Sequence, residues 1–369
     1  MLVERVELRL IGLGLVEPFV AAHGTVSVRD LLVIKVETDH GIGWGECAAL
    51  PEPTYTNEFA AGAFDVARKQ LAPVLIGRQL SAESFRTVLE EVGYVTGVHP
   101  MTEAAFEMAL LDAELKHQDH SVASWLGVQP NPVGAGAAVG LGPTADVLGR
   151  VDSLLDEGFR RVKAKIQPGM DPVLVTELIS RCDAADIQLD ANGSCSGADL
   201  DWLIQLAASG FTAIEQPFGV DDLELSSLLV QNSPIPIVAD ESAPNIAAVE
   251  HLAEVQAFDA VSVKAPRVGG LSNAIGLARR CRQLGLAMTA GGMIESGLGR
   301  HALVGLAGLD GFTIVGDVSP ASRWVEHDPW PDVVMSDGVV AMPTTIGVAP
   351  SPDYEVLERV TIASETVAN

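Results

Sequence analysis

The sequence predicts an α/β protein: a (β/α) barrel set between an α+β region and a tail that packs back on that region. Three observations predict it. From about Pro132 to Pro320, short β-rich runs alternate with amphipathic helical runs, the pattern of a parallel sheet with helical crossovers. The first fifty residues read as antiparallel strands and are followed by helices. After about Pro320 the alternation stops. An open doubly wound sheet is the structural alternative, but the Gly-rich fingerprint common at its first turn is missing.

In chain order, Leu2 to Leu10 is a half-buried strand, largely apolar at even positions and mostly charged at odd ones. Asp30 to Asp39 and Gly43 to Ala49 are two more, joined by the turn Asp39-His40-Gly41. Helices are expected over Asn57–Leu71, over Ser81–Val92 with Ser81 as N-cap, and over Thr102–His117. The barrel strands are Val133–Val139, Arg161–Ile166, Ile187–Asn192, Ala213–Pro217, Ile237–Ser242, Ala260–Pro266, Ala287–Glu295 and Phe312–Asp317. Among the helices between them are Pro172–Cys182 and Leu271–Leu284, the latter closed by Gly285. The tail holds Trp324, Trp330 and a short strand near Val339–Met342.

At 369 residues the chain is long enough for two cores, and 48% hydrophobic residues supply them. A formal charge of −26 argues against a nucleic-acid partner, since phosphates would be repelled over most of the surface. No run approaches the roughly 18 apolar residues of a membrane span. Met1-Leu2-Val3-Glu4-Arg5 reads as a strand and not as a signal peptide, so a cytoplasmic protein is expected. Cys47, Cys182, Cys195 and Cys281 show neither zinc nor disulfide spacing.

Lysine is scarce, six against seventeen arginines, yet Lys163, Lys165 and Lys264 all fall within barrel strands. A lysine there has to be satisfied indoors. Spacing adds to this. Lys165, Asp190, Glu215 and Asp240 follow one another at intervals of 25 residues, and Lys264 comes 24 further on. Each interval is one βα unit, so all five land near the C-terminal ends of successive strands, where barrel active sites are built. The bland alternative is a ring of buried salt bridges, but burying charges is expensive and apolar packing serves as well. Five groups in register favour function.

Three carboxylates at one mouth need a cation among them. With no His or Cys at an equivalent strand end, Asp190, Glu215 and Asp240 suit Mg²⁺, with Mn²⁺ as the alternative. Such a site would stabilise the charge that builds on a carboxylate substrate when the adjacent carbon loses a proton. Asn192 and Glu241 stand where they could orient the ligands. Lys163 and Lys165 lie two apart on one strand and face the same side. A lysine base near neutral pH needs its pKa brought down from about 10.4 to roughly 7–8. Lys163 is placed to tune Lys165 in that sense, and Lys264 to reach the site from across the mouth.

With these residues in place, the sequence resembles the enolase superfamily in its muconate-lactonising subgroup, over essentially the whole chain. Lys163-Ala164-Lys165 is similar to the family's KxK motif, with Lys165 as base. Asp190-Ala191-Asn192, Glu215-Gln216-Pro217 and Asp240-Glu241-Ser242 are similar to its three metal-ligand runs, and Lys264 to its opposing lysine. Three further stretches resemble the o-succinylbenzoate synthase / N-acylamino acid racemase family. They are Gly43-Trp44-Gly45-Glu46-Cys47 with Pro53 and Tyr55, the helical run Glu107 to Leu115, and Gly291-Gly292-Met293-Ile294-Glu295-Ser296-Gly297-Leu298-Gly299-Arg300.

The resemblance implies a modified (β/α)7β TIM-type barrel over residues 126–320. An α+β capping domain would span 1–125 and be completed by 321–369. It implies Mg²⁺-dependent syn dehydration of 2-succinyl-6-hydroxy-2,4-cyclohexadiene-1-carboxylate in menaquinone biosynthesis, or racemisation of N-acylamino acids, both beginning with the same proton abstraction. The partner is a small-molecule carboxylate, and a homo-oligomer is left open. The cap selects substrate in this superfamily, so the loops Phe19–Gly24 and Leu50–Tyr55 are candidates. Phe19, Leu50 and Tyr55 would cover an apolar ring or acyl chain, or simply pack cap on barrel, and Gly292 and Met293 would line the floor beside Gly291. His23 reads as an exposed loop histidine. Dipeptide epimerases carry an Asp-x-Asp after the eighth strand, where this chain has Asp317-Val318-Ser319. Mandelate-racemase-like members use a His–Asp pair where it has Lys264. Outside the family, a Schiff-base aldolase barrel or a non-catalytic cation-binding barrel would also place charges at strand ends.

Overall fold

The computed structural model describes residues 1–22 and 24–368; His23 and Asn369, and with His23 the expectation for that loop histidine, lie outside the described residues. In chain order the strands are β1 (Val3–Ala21), β2 (Gly24–Thr38), β3 (Gly41–Cys47), β4 (Val133–Gly134), β5 (Gly136–Val139), β6 (Arg161–Lys165), β7 (Asp186–Asp190), β8 (Ala213–Glu215), β9 (Ile237–Ala239), β10 (Ala260–Val263), β11 (Ala287–Ala290), β12 (Met335–Ser336), β13 (Val339–Val340) and β14 (Thr361–Ala368).

The first three strands and the last form one antiparallel sheet in the order β14-β1-β2-β3. The tail therefore does return to the N-terminal region. Both strands of the first hairpin run much further than expected, to Ala21 and from Gly24. Gly12, Gly14 and Pro18 break the alternation there, and tertiary bonds carry the chain instead. Val16 N donates to Trp324 O at 2.9 Å and Leu141 N to Val20 O at 2.8 Å, so the hairpin reaches the end of β5.

The helix Pro100–His117 lies across β3. Gly43 and Gly45 make this possible: a Cβ at either would stand 2.6–2.7 Å from the helix backbone nitrogens of Ala113 and Ala109. Glu58 accepts from Met101 N at 2.7 Å and Thr102 N at 3.0 Å, so this helix starts earlier than Thr102. The helix expected over 57–71 begins at Ala60 and passes through a π-turn at Ala67–Leu71. It continues to Leu75, the π-turn accommodating Pro73, which has no N–H. Ser81 does not cap its helix directly. It exchanges N–H···Oγ bonds with Ser84, and the helix runs Phe85–Glu91.

Seven parallel strands form the second sheet in the order β11-β10-β9-β8-β7-β6-β5, with helices between them. The expected eighth strand, Phe312–Asp317, is irregular. It still bridges the two edges: Ile314 N donates to Met288 O and Asp317 N to Ala290 O, while Gly136 N donates to Val318 O. This is the modified barrel. The run Val133–Val139 divides, because β4 leaves the barrel to pair with β13 in a small antiparallel sheet. Leu271–Leu284 ends as expected at Gly285, which takes φ 76°. The helix expected over Pro172–Cys182 stops at Ile179. No described helix is long and apolar enough to cross a membrane.

Candidate active site

Strand register brings the predicted residues together. Lys165 pairs across the sheet with Asp190, and Asp190 with Glu215. Asp240 follows the last residue of β9, and Lys264 the last of β10. All five side chains are buried at the C-terminal mouth. Asn192 and Gln216, next after β7 and β8 or nearly so, take positive φ values of 44° and 36°. Backbone in that region is costly for residues other than glycine and persists where surroundings over-determine it, often at functional sites.

Lys165 Nζ donates to Asp190 Oδ2 at 2.7 Å and to Asn192 Oδ1 at 2.6 Å. Asn192 in turn donates to Glu241 Oε1 at 3.0 Å, which links both residues to Lys165. Lys163 Nζ lies 3.0 Å from both Glu215 oxygens, 2.9 Å from Asp317 and 3.4 Å from Asp190. Burial pulls its pKa down, but Asp317, Glu215 and Asp190 outweigh burial and raise it. The ammonium expected to tune Lys165 is thus largely balanced by three acids.

Across the mouth, Asp240 accepts from Lys264 Nζ at 2.8 Å, from Arg267 and from the Tyr55 hydroxyl at 3.1 Å. Burial pushes its carboxyl up, yet Lys264, Arg267 and Lys163 hold it well below the usual range. Tyr55 therefore meets the site through its hydroxyl as well as its ring, which Lys264 Nζ approaches to 4.5 Å of the centroid. Gln216 Oε1 accepts from Asp240 N and Ser242 N, locking the run that carries Asp240. Leu50 is buried in the core, and Phe19 packs edge-on against Trp324, ring centroids 5.3 Å apart. Met293 is buried, and Gly292 N donates to Asp317 at 3.2 Å.

Sequence reasoning missed Arg267, Gln216 and the engagement of Asp317 by Arg161 and Lys163. Arg267 had a signal, standing three residues past Lys264. Asp317 had one too, ending the predicted eighth strand, but it was noted only for the acid missing two residues on. With both its partners in place, Asp317 is committed to the barrel's own cations.

The donor set suits a hard divalent cation: three buried carboxylates on adjacent strands, with Glu215 pushed up to about 7 by burial and by Asp190, Asp240 and Asp317, against the opposing pull of Lys163. Glu241 Oε2 is buried without a hydrogen-bond partner among the described residues. As they stand, the acids are turned to their own lysines, and no three described His, Cys, Asp or Glu side chains converge on one point. Holding an ion requires Glu215 and Asp190 to turn from Lys163. The salt-bridge ring envisaged from the sequence is thus present, and it consists of the same groups that would serve a metal and a base.

The loop after β11 is bound to the cap. Glu46 of β3 accepts from Ser296 N at 3.2 Å and from its hydroxyl. Burial raises the Glu46 pKa to about 8, helped by Glu295 and Asp328, against the pull of Ser296 and Arg29. A folded-state value above the unfolded one of about 4.3 means that folding favours the protonated form. That stabilisation is complete below the unfolded pKa and is lost as pH rises toward and through about 8. Glu46→Gln should therefore gain several degrees of melting temperature over the wild type at pH 8.5 relative to pH 5. An equal difference at both pH values, by scanning calorimetry, would contradict it.

Two family models match the chain: the mandelate racemase / muconate lactonizing enzyme N-terminal domain over residues 7–127, and the enolase C-terminal domain-like model over 146–356. An N-succinylamino acid racemase of Amycolatopsis is 37% identical, with 97% of each chain covered. The o-succinylbenzoate synthase of Bacillus subtilis is 30% identical, covering 97% of this chain and 96% of its own. A crystal structure of an enolase superfamily member from Listeria innocua superposes with a TM-score of 0.92 at 28% identity, over 100% of this chain and 99% of that one.

Proposed function

Since the chain belongs to the enolase superfamily, in its o-succinylbenzoate synthase / N-succinylamino acid racemase family, we propose that it is an o-succinylbenzoate synthase acting through Lys165 as base. The observation that carries this is the pair of buried lysines, Lys165 and Lys264, on opposite sides of one acid-lined barrel mouth. Asp190, Glu215 and Asp240 would hold Mg²⁺, which supplies the positive charge that stabilises a substrate carboxylate as the adjacent carbon loses its proton.

Lys165 Nζ takes the proton from the carbon next to the carboxylate, leaving its electron pair delocalised into that carboxylate. The pair then returns to form the ring double bond as the hydroxyl departs, and Lys165 delivers the same proton to it. Water leaves, and the lysine is restored. Asn192 keeps Lys165 aimed, donating to Glu241 while accepting from Lys165 Nζ. Burial lowers the Lys264 pKa, but Asp240 and Tyr55 raise it well above the ordinary value. A standing cation on that face suits electrostatic stabilisation of the intermediate.

Racemisation of N-succinylamino acids is the second reading, favoured by the 37% identity to the Amycolatopsis racemase. There the proton removed by Lys165 on one face is replaced by one from Lys264 on the other, and Lys264, then an amine, removes the proton of the opposite enantiomer in the reverse turnover.

Purified protein with Mg²⁺ should consume the cyclohexadiene precursor and exchange the α-proton of an N-succinyl amino acid for deuterium. Chelation with EDTA should abolish both, and Mg²⁺ should restore them. Absence of both activities with the ion present would end the proposal. Borohydride trapping of a carbonyl substrate on Lys165 or Lys264 would favour the Schiff-base reading instead.

A further inference from the structure

The loop Gly291–Ser296 is fastened at almost every residue. Gly291 N donates to Val263 O at 3.0 Å, Gly292 N to Asp317, and Met293 N to Glu295 Oε1 at 2.7 Å. Glu295 is paired with Arg300 at 3.1 Å, and Ser296 is held by Glu46. Within this loop Ile294 has φ 56°, a left-handed conformation that a β-branched side chain rarely adopts. Its carbonyl accepts from Arg29 Nε at 3.2 Å.

Arg29, on β2, is wholly buried. Its other donors go to Asp30 O at 2.8 Å, Ala49 O at 2.6 Å and Ala48 O at 2.5 Å. No carboxylate pairs with it directly among the described residues, although Glu46 and Glu295 lie within electrostatic reach. A buried guanidinium spent on four carbonyls is poor value for stability alone, since apolar packing would do as well. What it does is join two loops. Ala48 and Ala49 lead into Leu50 and Tyr55, the cap segment over the mouth. Ile294 belongs to the loop whose start lies against Lys264: a Cβ on Gly291 would stand 2.7–2.8 Å from the Lys264 side chain.

We infer that Arg29 is a positioning residue that locks the cap segment Ala48–Tyr55 to the barrel loop Gly291–Ser296, so that closure of the cap and alignment of Lys264 occur together. The effect on catalysis rests on the reading of Lys165 and Lys264 as acting on opposite faces. Arg29→Met breaks all four bonds; Arg29→Lys keeps the charge and restores at most part of them.

The first measurement is deuterium exchange of each enantiomer of an N-succinyl amino acid, with Lys264→Arg identifying the enantiomer served by Lys264. In Arg29→Met that exchange should fall at least tenfold, while exchange of the other enantiomer falls less than threefold, with Arg29→Lys intermediate. Equal losses for the two enantiomers would overturn the inference, as general structural damage produces them. The second measurement needs no activity. Amide hydrogen exchange by mass spectrometry should show residues 46–56 and 289–298 losing protection together in Arg29→Met, with residues 161–190 unchanged. Loss in only one segment, or in neither, would overturn the lock. If the wild type exchanges neither enantiomer and Arg29→Met still loses protection in both segments, the reading of Lys165 and Lys264 as acting on opposite faces fails and the lock stands.

Discussion

Lys165→Ala is expected to lower kcat by about 10²–10⁴-fold for dehydration, the scale of a lost general base. No other described side chain bonded to Asp190 can replace it as a mobile proton carrier on that face. Lys163 is the nearest, and Asp317, which is not among the proposed metal ligands, holds it at 2.9 Å. Against burial, Asp317 is the largest of the charges that raise its pKa and would keep it a cation, unable to accept a proton. The same change should alter stability little. Asp190 loses its partner at 2.7 Å but keeps Lys163 at 3.4 Å and the Asn192 backbone N–H at 3.0 Å. Steady-state kinetics beside a thermal melt separate the two effects, and near-wild-type turnover would remove Lys165 from the chemistry.

Asp240→Asn should behave differently, losing both activity and stability. In the wild type a single carboxylate balances Lys264 and Arg267, both buried, and accepts from Tyr55. Removing its charge leaves two cations without a carboxylate in a region closed to water. Breaking a buried pair in this way typically costs about 3–5 kcal/mol. Catalysis suffers as well, because the carboxylate is one of three proposed to hold the divalent ion and it also anchors Lys264. The stability part has a pH signature. A carboxyl held below the usual range contributes its stabilisation above the ordinary value of about 3.9. That contribution disappears only as pH falls through the depressed folded value. The melting-temperature gap between wild type and Asp240→Asn should therefore be wide at pH 7 and shrink in strong acid. A gap unchanged down to pH 2 would show that the carboxylate's charge is not what matters.

The two variants differ because the acids and bases of this mouth were legible in the sequence while their partnerships were not. Lys165, Asp190, Glu215, Asp240 and Lys264 recur at one βα interval, and barrel geometry turns that interval into convergence. Tyr55 was expected to cover an apolar group or to pack cap on barrel; its place on Asp240 depends on how the cap docks, which no local pattern encodes. Lys163 was expected to depress its neighbour, but Asp317, from an irregular segment 154 residues away, claims it.

What the sequence by itself determined is most of the barrel's alternating strands and helices and the ring of chemical groups, since periodicity of 2 and 3.6 and the length of a βα unit are local properties. The glycine pair at 43 and 45, the capping of Leu271 and Ser272 by Glu107, and the four-carbonyl grip of Arg29 were decided only by tertiary structure. Each joins cap to barrel, or strand to helix, across a large sequence separation. A buried polar group must find its partner wherever the fold brings one, and that position exists only once the two domains have packed.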